Sequence, residues 1–413
     1  SLYNHQCQAY ERAMAGSNIA IVSGTASGKT LCYNLPVLDS LVKQPNGSAL
    51  FLFPTKAMAQ DQLVLLRDMT QSLMMEQTPT VNIYDGDTPQ TNRSLIRSQS
   101  NIILSNPDML HTGILPHHTV WKDFFSALKF VVIDEMHVYR GIFGSHVANV
   151  IRRLKRISRF YGSQPQFILT SATIANPQEL AERLTEKPIA LIDQDGSPHG
   201  ERHFLIYNPP MIEKKLGIRQ SALVEGSWLA GELLSENIQT IIFGRTRRSI
   251  EMILTYLRQR ESTNAEARIR GYRSGYLSRE RRAIESGLRE GTVQGVVATS
   301  ALELGIDIGG IDAAIIIGYP GSIAATRQQA GRAGRKLTPS LSILITSANA
   351  MDQYLAHHPD YFFGRSPERA LIAPNNLLIL LQHIRCAAFE LPFTRGEGFG
   401  ALPEAQVTAF LNL

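Results

Sequence analysis

Short runs of aliphatic and β-branched residues punctuate the first 170 positions: "NIAIVS" (18–23), "ALFLF" (49–53), "NIILS" (101–105), "KFVVID" (129–134) and "QFILT" (166–170). They are apolar at successive rather than alternate positions, which predicts strands covered on both faces. The amphipathic, helix-length stretches between them predict parallel crossovers. The pattern pauses at the breaker-rich "DQDGSPHGE" (193–201) and "NPP" (208–210). It resumes with "QTIIFG" (239–244), "RIRGY" (268–272), "GVVAT" (295–299), "AAIIIG" (313–318) and "LSILIT" (341–346). Two doubly wound α/β domains with parallel sheets are expected, over 1–195 and 237–372, with 196–236 as linker and start of the second. From about Pro374 the texture turns helical in "NNLLILLQHIRCAAFEL", so 373–413 is expected to open a further C-terminal domain that is cut short.

Length supports this division: 413 residues at 44% apolar content exceed one ordinary core and fit about two. Lys and Arg outnumber Asp and Glu by 41 to 36, a balance that permits nucleic-acid binding without arguing for it. Cys7, Cys32 and Cys386 are scattered, lack metal-ligand spacing and read as reduced, partly buried thiols. No apolar run approaches the roughly 20 residues of a membrane span, and the first residues do not resemble a signal peptide. A cytoplasmic, nucleoid-associated protein with no membrane partner is expected.

The strand "NIAIVS" runs into "GTASGKT" (24–30) and then an amphipathic segment. That strand, loop and helix order is what a phosphate cradle requires. The small residues Thr25, Ala26, Ser27 and Gly28 let backbone N–H groups turn towards phosphate, Lys29 can reach the β/γ oxygens, and Thr30 can ligate Mg²⁺. About a hundred residues on, "KFVVI" ends in "DEMH" (134–137), placing two carboxylates at the carboxyl edge of a parallel sheet. Asp134 would hold Mg²⁺, directly or through water, and Glu135 would orient and deprotonate an attacking water. In "QQAGRAGRK" (328–336) Arg332 and Arg335 stand three apart with no acid nearby, suited to a transition-state phosphate.

The order of these motifs resembles superfamily 2 helicases over nearly the whole chain. Within them it is most similar to the DEVH-box DNA repair helicases, the group of mitomycin repair factor A and the yeast RecQ4-like helicases. The resemblance implies two tandem RecA-like domains, ATP and Mg²⁺ as cofactors, and single-stranded or partly duplex DNA as partner, with 3′→5′ movement and a role in DNA repair beside other repair proteins. It implies that Tyr3 and Gln6 of "LYNHQ" read adenine and that Gly305 and Asp307 of "ALELGIDI" (301–308) lie near nucleotide. His137, Ser171 and Thr173 of "SAT", and Gln328 would couple hydrolysis to movement. Ser23, Gly24 and Ala26 replace the commoner Ala, Pro and Gly of the phosphate loop, and Gln329 an Arg, without removing a reacting group.

It also implies a strand track away from the nucleotide edge. Thr55, Lys56, Gly86, Asp87, Thr88 and Asn106 would form the track in the first domain, and Arg245, Thr246, Arg273 and Thr299 in the second. Hydroxyls, amides and a few cations grip phosphate without reading bases, so tolerance of sequence is expected. His117, His118, His357 and His358 read as surface or loop residues. Relatives carry a four-cysteine metal cluster further on, which three scattered cysteines cannot supply. Once "AAIIIG" is set aside, the interval between "GIDIGGID" (305–312) and "QQAGRAGRK" is too short for a long strand-splitting hairpin, so unwinding would need another element. An RNA helicase or ribonucleoprotein remodeller, with the same fold, stays open because 2′-hydroxyl contacts are invisible in sequence. A nucleotide-gated clamp fits less well, since Lys29, Glu135, Arg332 and Arg335 are all intact.

Overall fold

The computed structural model describes residues 2–24, 27–73, 78–198, 200–260, 265–273, 276, 278–303, 309–334 and 338–412. It forms two compact units. One is built on Ser27–Ser197 with the chain up to Ser23 and the segment from Arg369; the other is built on Pro198–Glu368.

The first unit holds strands β1 (Ile19–Val22), β2 (Ser48–Leu52), β3 (Val81–Ile83), β4 (Ile102–Ser105), β5 (Leu128–Ile133), β6 (Gln166–Ser171) and β7 (Ala190–Ile192). They lie in the order β3-β4-β2-β5-β6-β1-β7, and every neighbouring pair is parallel. The five expected strands form its centre. β1, β2 and β4 are buried along their whole length, as two-sided apolar runs require. The outer strands β3 and β7, three residues each, are too short to announce themselves.

The second unit holds β8 (Arg202–Tyr207), β9 (Met211–Glu213), β10 (Ile218–Arg219), β11 (Thr240–Phe243), β12 (Ile269–Tyr272), β13 (Gly295–Ala298), β14 (Ala313–Ile317) and β15 (Ser340–Ile345). Six form a parallel sheet in the order β12-β13-β11-β14-β15-β8, while β9 and β10 pair antiparallel as a separate hairpin. β8, a half-exposed edge strand inside the expected linker, carries no two-sided apolar run.

Because the strands of each sheet are parallel, every loop that follows one leaves from the same edge. In the first unit the phosphate loop follows β1, the acid pair β5 and the "SAT" segment β6, while Thr55, Gly86 and Asn106 follow β2, β3 and β4. The expectation that the track lies away from the nucleotide edge is therefore incorrect: topology puts both on one edge and separates them sideways. β4 and β1 stand four strand spacings apart, roughly 19 Å at about 4.8 Å each.

The segment from Arg369 is seated against helix Gly141–Phe160, whose "IRRLKR" run presents three arginines to it. Arg152 bonds Asn375 Oδ1 at 2.8 Å, Arg153 Nε bonds Glu390 Oε2 at 2.9 Å, and Arg156 Nε bonds Glu397 Oε1 at 2.6 Å. Leu380, Ile384, Ala387, Phe399, Leu402 and Val407 close a small apolar cluster within it.

Candidate nucleotide and nucleic-acid sites

At the end of β1 the chain enters helix α1 (Lys29–Lys43) through Gly28, whose φ of +79° lies in the left-handed region that favours glycine. A Cβ there would stand 2.6 Å from Gln6 Nε2. Gln6 itself closes this corner: its Nε2 donates to Gly28 O at 3.1 Å and its Oε1 accepts from Tyr3 N–H at 2.9 Å. Lys29 Nζ donates to Ser23 O at 3.0 Å and Ser171 O at 3.4 Å, so it lies between the phosphate loop and the "SAT" strand. The hydroxyls of Ser23 and Ser27 are 2.6 Å apart. Thr30 is half-buried in the first turn of α1, and Thr25 and Ala26 lie outside the described residues. His5 was not singled out by sequence reasoning, although it stands inside "LYNHQ". Its Nδ1 accepts from Gly196 N–H at 3.3 Å, which leaves the ring proton on Nε2, 3.1 Å from Ser27 O.

After β5, Asp134 and Glu135 are both buried, and Glu135 adopts a φ of +51°. A second residue that sequence reasoning missed, Thr170 on β6, organises the pair. Its hydroxyl donates to the Asp134 carboxylate and accepts from Glu135 N–H at 3.1 Å. Burial, with the Glu135 charge beside it, raises the Asp134 carboxyl from 3.8 to about 7, against the Thr170 hydrogen bond and the Lys29 ammonium. A buried carboxylate whose ionisation is disfavoured, with a second carboxylate beside it, suits a hard divalent cation, with the Thr30 hydroxyl as a further oxygen donor. Among the described residues no three His, Cys, Asp or Glu side chains cluster as a metal cage.

His137 lies 3.3 Å from Glu135 Oε2, which by distance alone suggests an ion pair. Its Nδ1 instead accepts from Ala172 N–H at 3.1 Å, and burial pushes the imidazole down to about 4, so the ring is neutral. This bond joins the acid loop to the strand end carrying Ser171, which is buried, and Thr173, which is exposed. Burial raises the Cys32 thiol on α1 to about 12, which makes it an inert core residue.

In the second unit Glu303 is a hub. Its carboxylate accepts from Gln329 Nε2 at 3.1 Å and its backbone carbonyl from Arg332 Nη2 at 2.8 Å. Gln328 is half-buried on helix Ile323–Ala330. A cavity of 270 Å³ opens beside them, lined by Arg245, Ser300, Glu303, Gly318 and Gln329. Gly305, Asp307 and Arg335 lie outside the described residues.

Several expected track residues already have local partners. Thr55 Oγ1 caps helix Lys56–Gln71 by accepting from Met58 N–H at 3.3 Å, Asn106 Oδ1 accepts from Met109 N–H at 2.8 Å, and Thr246 Oγ1 accepts from Ser249 N–H at 3.1 Å. Thr88, buried, bonds Asp85 N–H at 2.9 Å. Lys56 pairs with Asp87 at 2.7 Å across Gly86, and Arg273 pairs with Glu251 at 3.2 Å. Thr299 is half-buried and Arg245 exposed. His117, His357 and His358 are exposed as expected, but His118 is buried between Tyr161 Oη and Glu390 O, each at 2.7 Å, because the C-terminal segment covers it. A wider concavity of 970 Å³ lies at the amino ends of the first sheet's strands and contains none of the motif residues.

The chain matches the DEAD/DEAH box helicase family over residues 3–180 and the helicase conserved C-terminal domain over 227–336. It is 53% identical over 412 residues to the ATP-dependent helicase YprA of Bacillus subtilis (strain 168), covering 100% of this chain and 55% of YprA. It is 40% identical over 405 residues to the ATP-dependent helicase HRQ1 of Saccharomyces cerevisiae, covering 95% of this chain and 37% of HRQ1. A crystal structure of the DUF1998 helicase MrfA bound to DNA and AMPPNP superposes with a TM-score of 0.96 at 52% identity, covering 100% of this chain and 57% of MrfA. The chain thus spans about half the length of YprA and MrfA and a smaller share of HRQ1. No described helix is long and apolar enough to cross a membrane. Two family domains matched in chain order, on two parallel sheets, decide the assignment: the chain belongs to the superfamily 2 helicases of DEAD/DEAH-box type, a family of ATP-dependent helicases.

Proposed function

We propose that the chain couples ATP hydrolysis to 3′→5′ movement along single-stranded DNA, in the service of DNA repair. The observation that carries the reading is the chain of contacts from acid pair to "SAT" strand. Thr170 holds Asp134 and Glu135, and His137 holds Ala172. A change at the phosphate therefore has a short path into β6. DNA as the partner is supported by MrfA, solved with DNA and AMPPNP. Polarity and repair rest on the family resemblance.

In this reading Gln6 and Tyr3 position adenine, and the N–H groups of the loop from Thr25 to Lys29 face the phosphates. Lys29 exchanges its carbonyl partners for β/γ oxygens. Mg²⁺, held by Thr30 and Asp134, offsets phosphate charge when bound. Glu135 takes a proton from the water that attacks the γ-phosphorus, a role worth roughly 10²- to 10⁴-fold. Arg332 and Arg335 offset the charge of the transition state, worth roughly 10³- to 10⁵-fold for such guanidinium groups. Gly305 and Asp307 contact nucleotide, while Ser171, Thr173 and Gln328 relay its state to the track. Thr55, Lys56, Gly86, Asp87, Thr88 and Asn106, with Arg245, Thr246, Arg273 and Thr299, mark the loops whose backbone and cations grip DNA phosphates.

The test is ATP turnover without nucleic acid, with single-stranded DNA and with single-stranded RNA, beside Glu135→Gln. Stimulation by DNA that the variant abolishes is expected. Equal stimulation by RNA, or turnover indifferent to both, would overturn the DNA assignment.

A further inference from the structure

The hairpin β9–β10 belongs to neither sheet, and all eight positions from 211 to 218 are exposed. Four of them are large and apolar: Met211, Ile212, Leu216 and Ile218, with Ile212 64% and Leu216 74% exposed. An isolated two-stranded hairpin is marginal in water, and one that turns its apolar side chains outward gains nothing from them within its own fold. It is nonetheless a defined element. Gln220 N–H bonds Pro210 O at 2.9 Å, Arg219 Nη1 bonds Pro209 O at 2.8 Å, and Gly217, with a φ of +65°, makes the turn. Lys214 and Lys215 stand at the tip beside Leu216, against a single acid, Glu213, whose Oε1 accepts from Lys215 N–H.

Its position in the second unit is equally specific. The hairpin follows β8, so it leaves from the same carboxyl edge as the loops bearing Arg245, Arg273 and Thr299. β8 is three strand spacings from β11, roughly 14 Å at about 4.8 Å each. Three residues of strand reach about 10 Å, or about three base-pair steps at 3.4 Å.

Resting on the translocase reading, we propose that β9–β10 is the strand-separating pin. Ile212 and Leu216 pack against the exposed face of the terminal base pair at a single-strand to duplex junction, and Lys214 and Lys215 hold the phosphates of the parting strands. Apolar side chains wedge between base steps by covering the face that unstacking exposes. Adjacent lysines complement a polyanion, which favours a nucleic-acid end over an apolar protein groove.

The test compares the wild type with Ile212→Ser/Leu216→Ser and with the apolar control Ile212→Val/Leu216→Met on a 3′-tailed duplex. The serine variant should lose at least about tenfold in unwinding rate, the factor that corresponds to 1.4 kcal/mol. Its ATP turnover stimulated by single-stranded DNA should remain within twofold, and the apolar control should unwind normally. Unwinding unchanged in the serine variant would overturn the proposal, as would a parallel loss of turnover. A photo-crosslinker at position 216 gives a readout independent of unwinding. Capture of the bases at the junction is expected; capture of duplex interior, of a second copy of the chain, or of nothing would refute the pin. Absence of any DNA-stimulated turnover in the wild type would sink the translocase reading instead, and the crosslink would then judge the hairpin alone.

Discussion

Acid should loosen the C-terminal segment from the first unit, and one imidazole should account for most of the effect. His383, on helix Leu377–Glu390, is 2% exposed. Its Nδ1 lies 3.4 Å from Arg153 Nη1, and its Nε2 lies 3.1 Å from His146 Nδ1. A guanidinium only donates, so Nδ1 carries the lone pair and Nε2 the proton. His111 presents its own Nδ1 to the same Arg153 nitrogen at 2.6 Å. Burial, with Arg153, His111, His146 and Arg152 around it, pushes His383 from 6.5 down to about 3; burial and Arg153 lower His111 as well. A base whose folded-state pKa is depressed contributes stability that is whole above 6.5 and is lost as pH falls towards 3, because the unfolded chain takes up a proton that the folded one refuses. Between pH 7.5 and 5.0 that loss comes to about 2 kcal/mol for His383, and His111 adds in the same direction. The readout is hydrogen exchange of the amides in Leu377–Glu390, corrected for the intrinsic pH dependence of exchange, since a chain of two units need not unfold in one step. Their protection should fall roughly thirtyfold from pH 7.5 to 5.0 in the wild type. In His383→Gln, which keeps an acceptor for Arg153, most of that slope should vanish. An equal slope in the variant would refute the assignment.

Three further predictions follow from single contacts. Thr170→Val removes the hydroxyl that joins Asp134 to Glu135 N–H while keeping the shape, so two buried polar groups lose a partner; about 1–3 kcal/mol of stability and most ATP turnover should go, and Thr170→Ser should restore both. Preserved turnover in the valine variant would show that the acid pair needs no organiser. Gly28→Ala forces a left-handed backbone on alanine and sets its Cβ 2.6 Å from Gln6 Nε2; about 1–2 kcal/mol of strain and a several-fold rise in KM for ATP are expected, and an unchanged KM would count against Gln6 as a nucleotide-side contact. Glu390→Leu strands the fully buried Arg153 charge, which should cost about 3–5 kcal/mol, visible as a lower Tm and faster proteolysis within the segment from Arg369; a silent variant would mean that Arg153 finds a substitute among its histidine neighbours.

Five strands of each sheet were legible because a parallel strand buried on both faces has to be a mainly apolar run, and few other elements look like one. Lys29, Asp134 and Glu135 stood out as candidates for a related reason: they follow such runs, and the chemistry of phosphate restricts what could serve there. Thr170 and His5 escaped for the opposite reason. A threonine inside "QFILT" reads as strand filler, and its role depends on β6 lying against β5, a neighbour relation that strand order fixes and local pattern does not. Arg152, Arg153 and Arg156 show the same limit on a helix face. Their spacing on one helix fits a solvated basic face as well as it fits a docking face, and the partners that decide between these, Asn375, Glu390 and Glu397, lie more than two hundred residues away in sequence. The track residues mark the most instructive boundary. Thr55, Asn106 and Thr246 were singled out for hydroxyls and amides that could touch phosphate, yet the structure uses those groups as helix caps. A cap of this kind fixes where the helix begins and leaves its first N–H groups pointing outward at the carboxyl edge, which is itself a phosphate-binding arrangement. The residue types are then required whether or not their side chains meet DNA. Replacing Thr55 by Ser, which keeps the cap, should be nearly silent for DNA binding. Replacement by Val should weaken it by displacing the helix start rather than by deleting a contact.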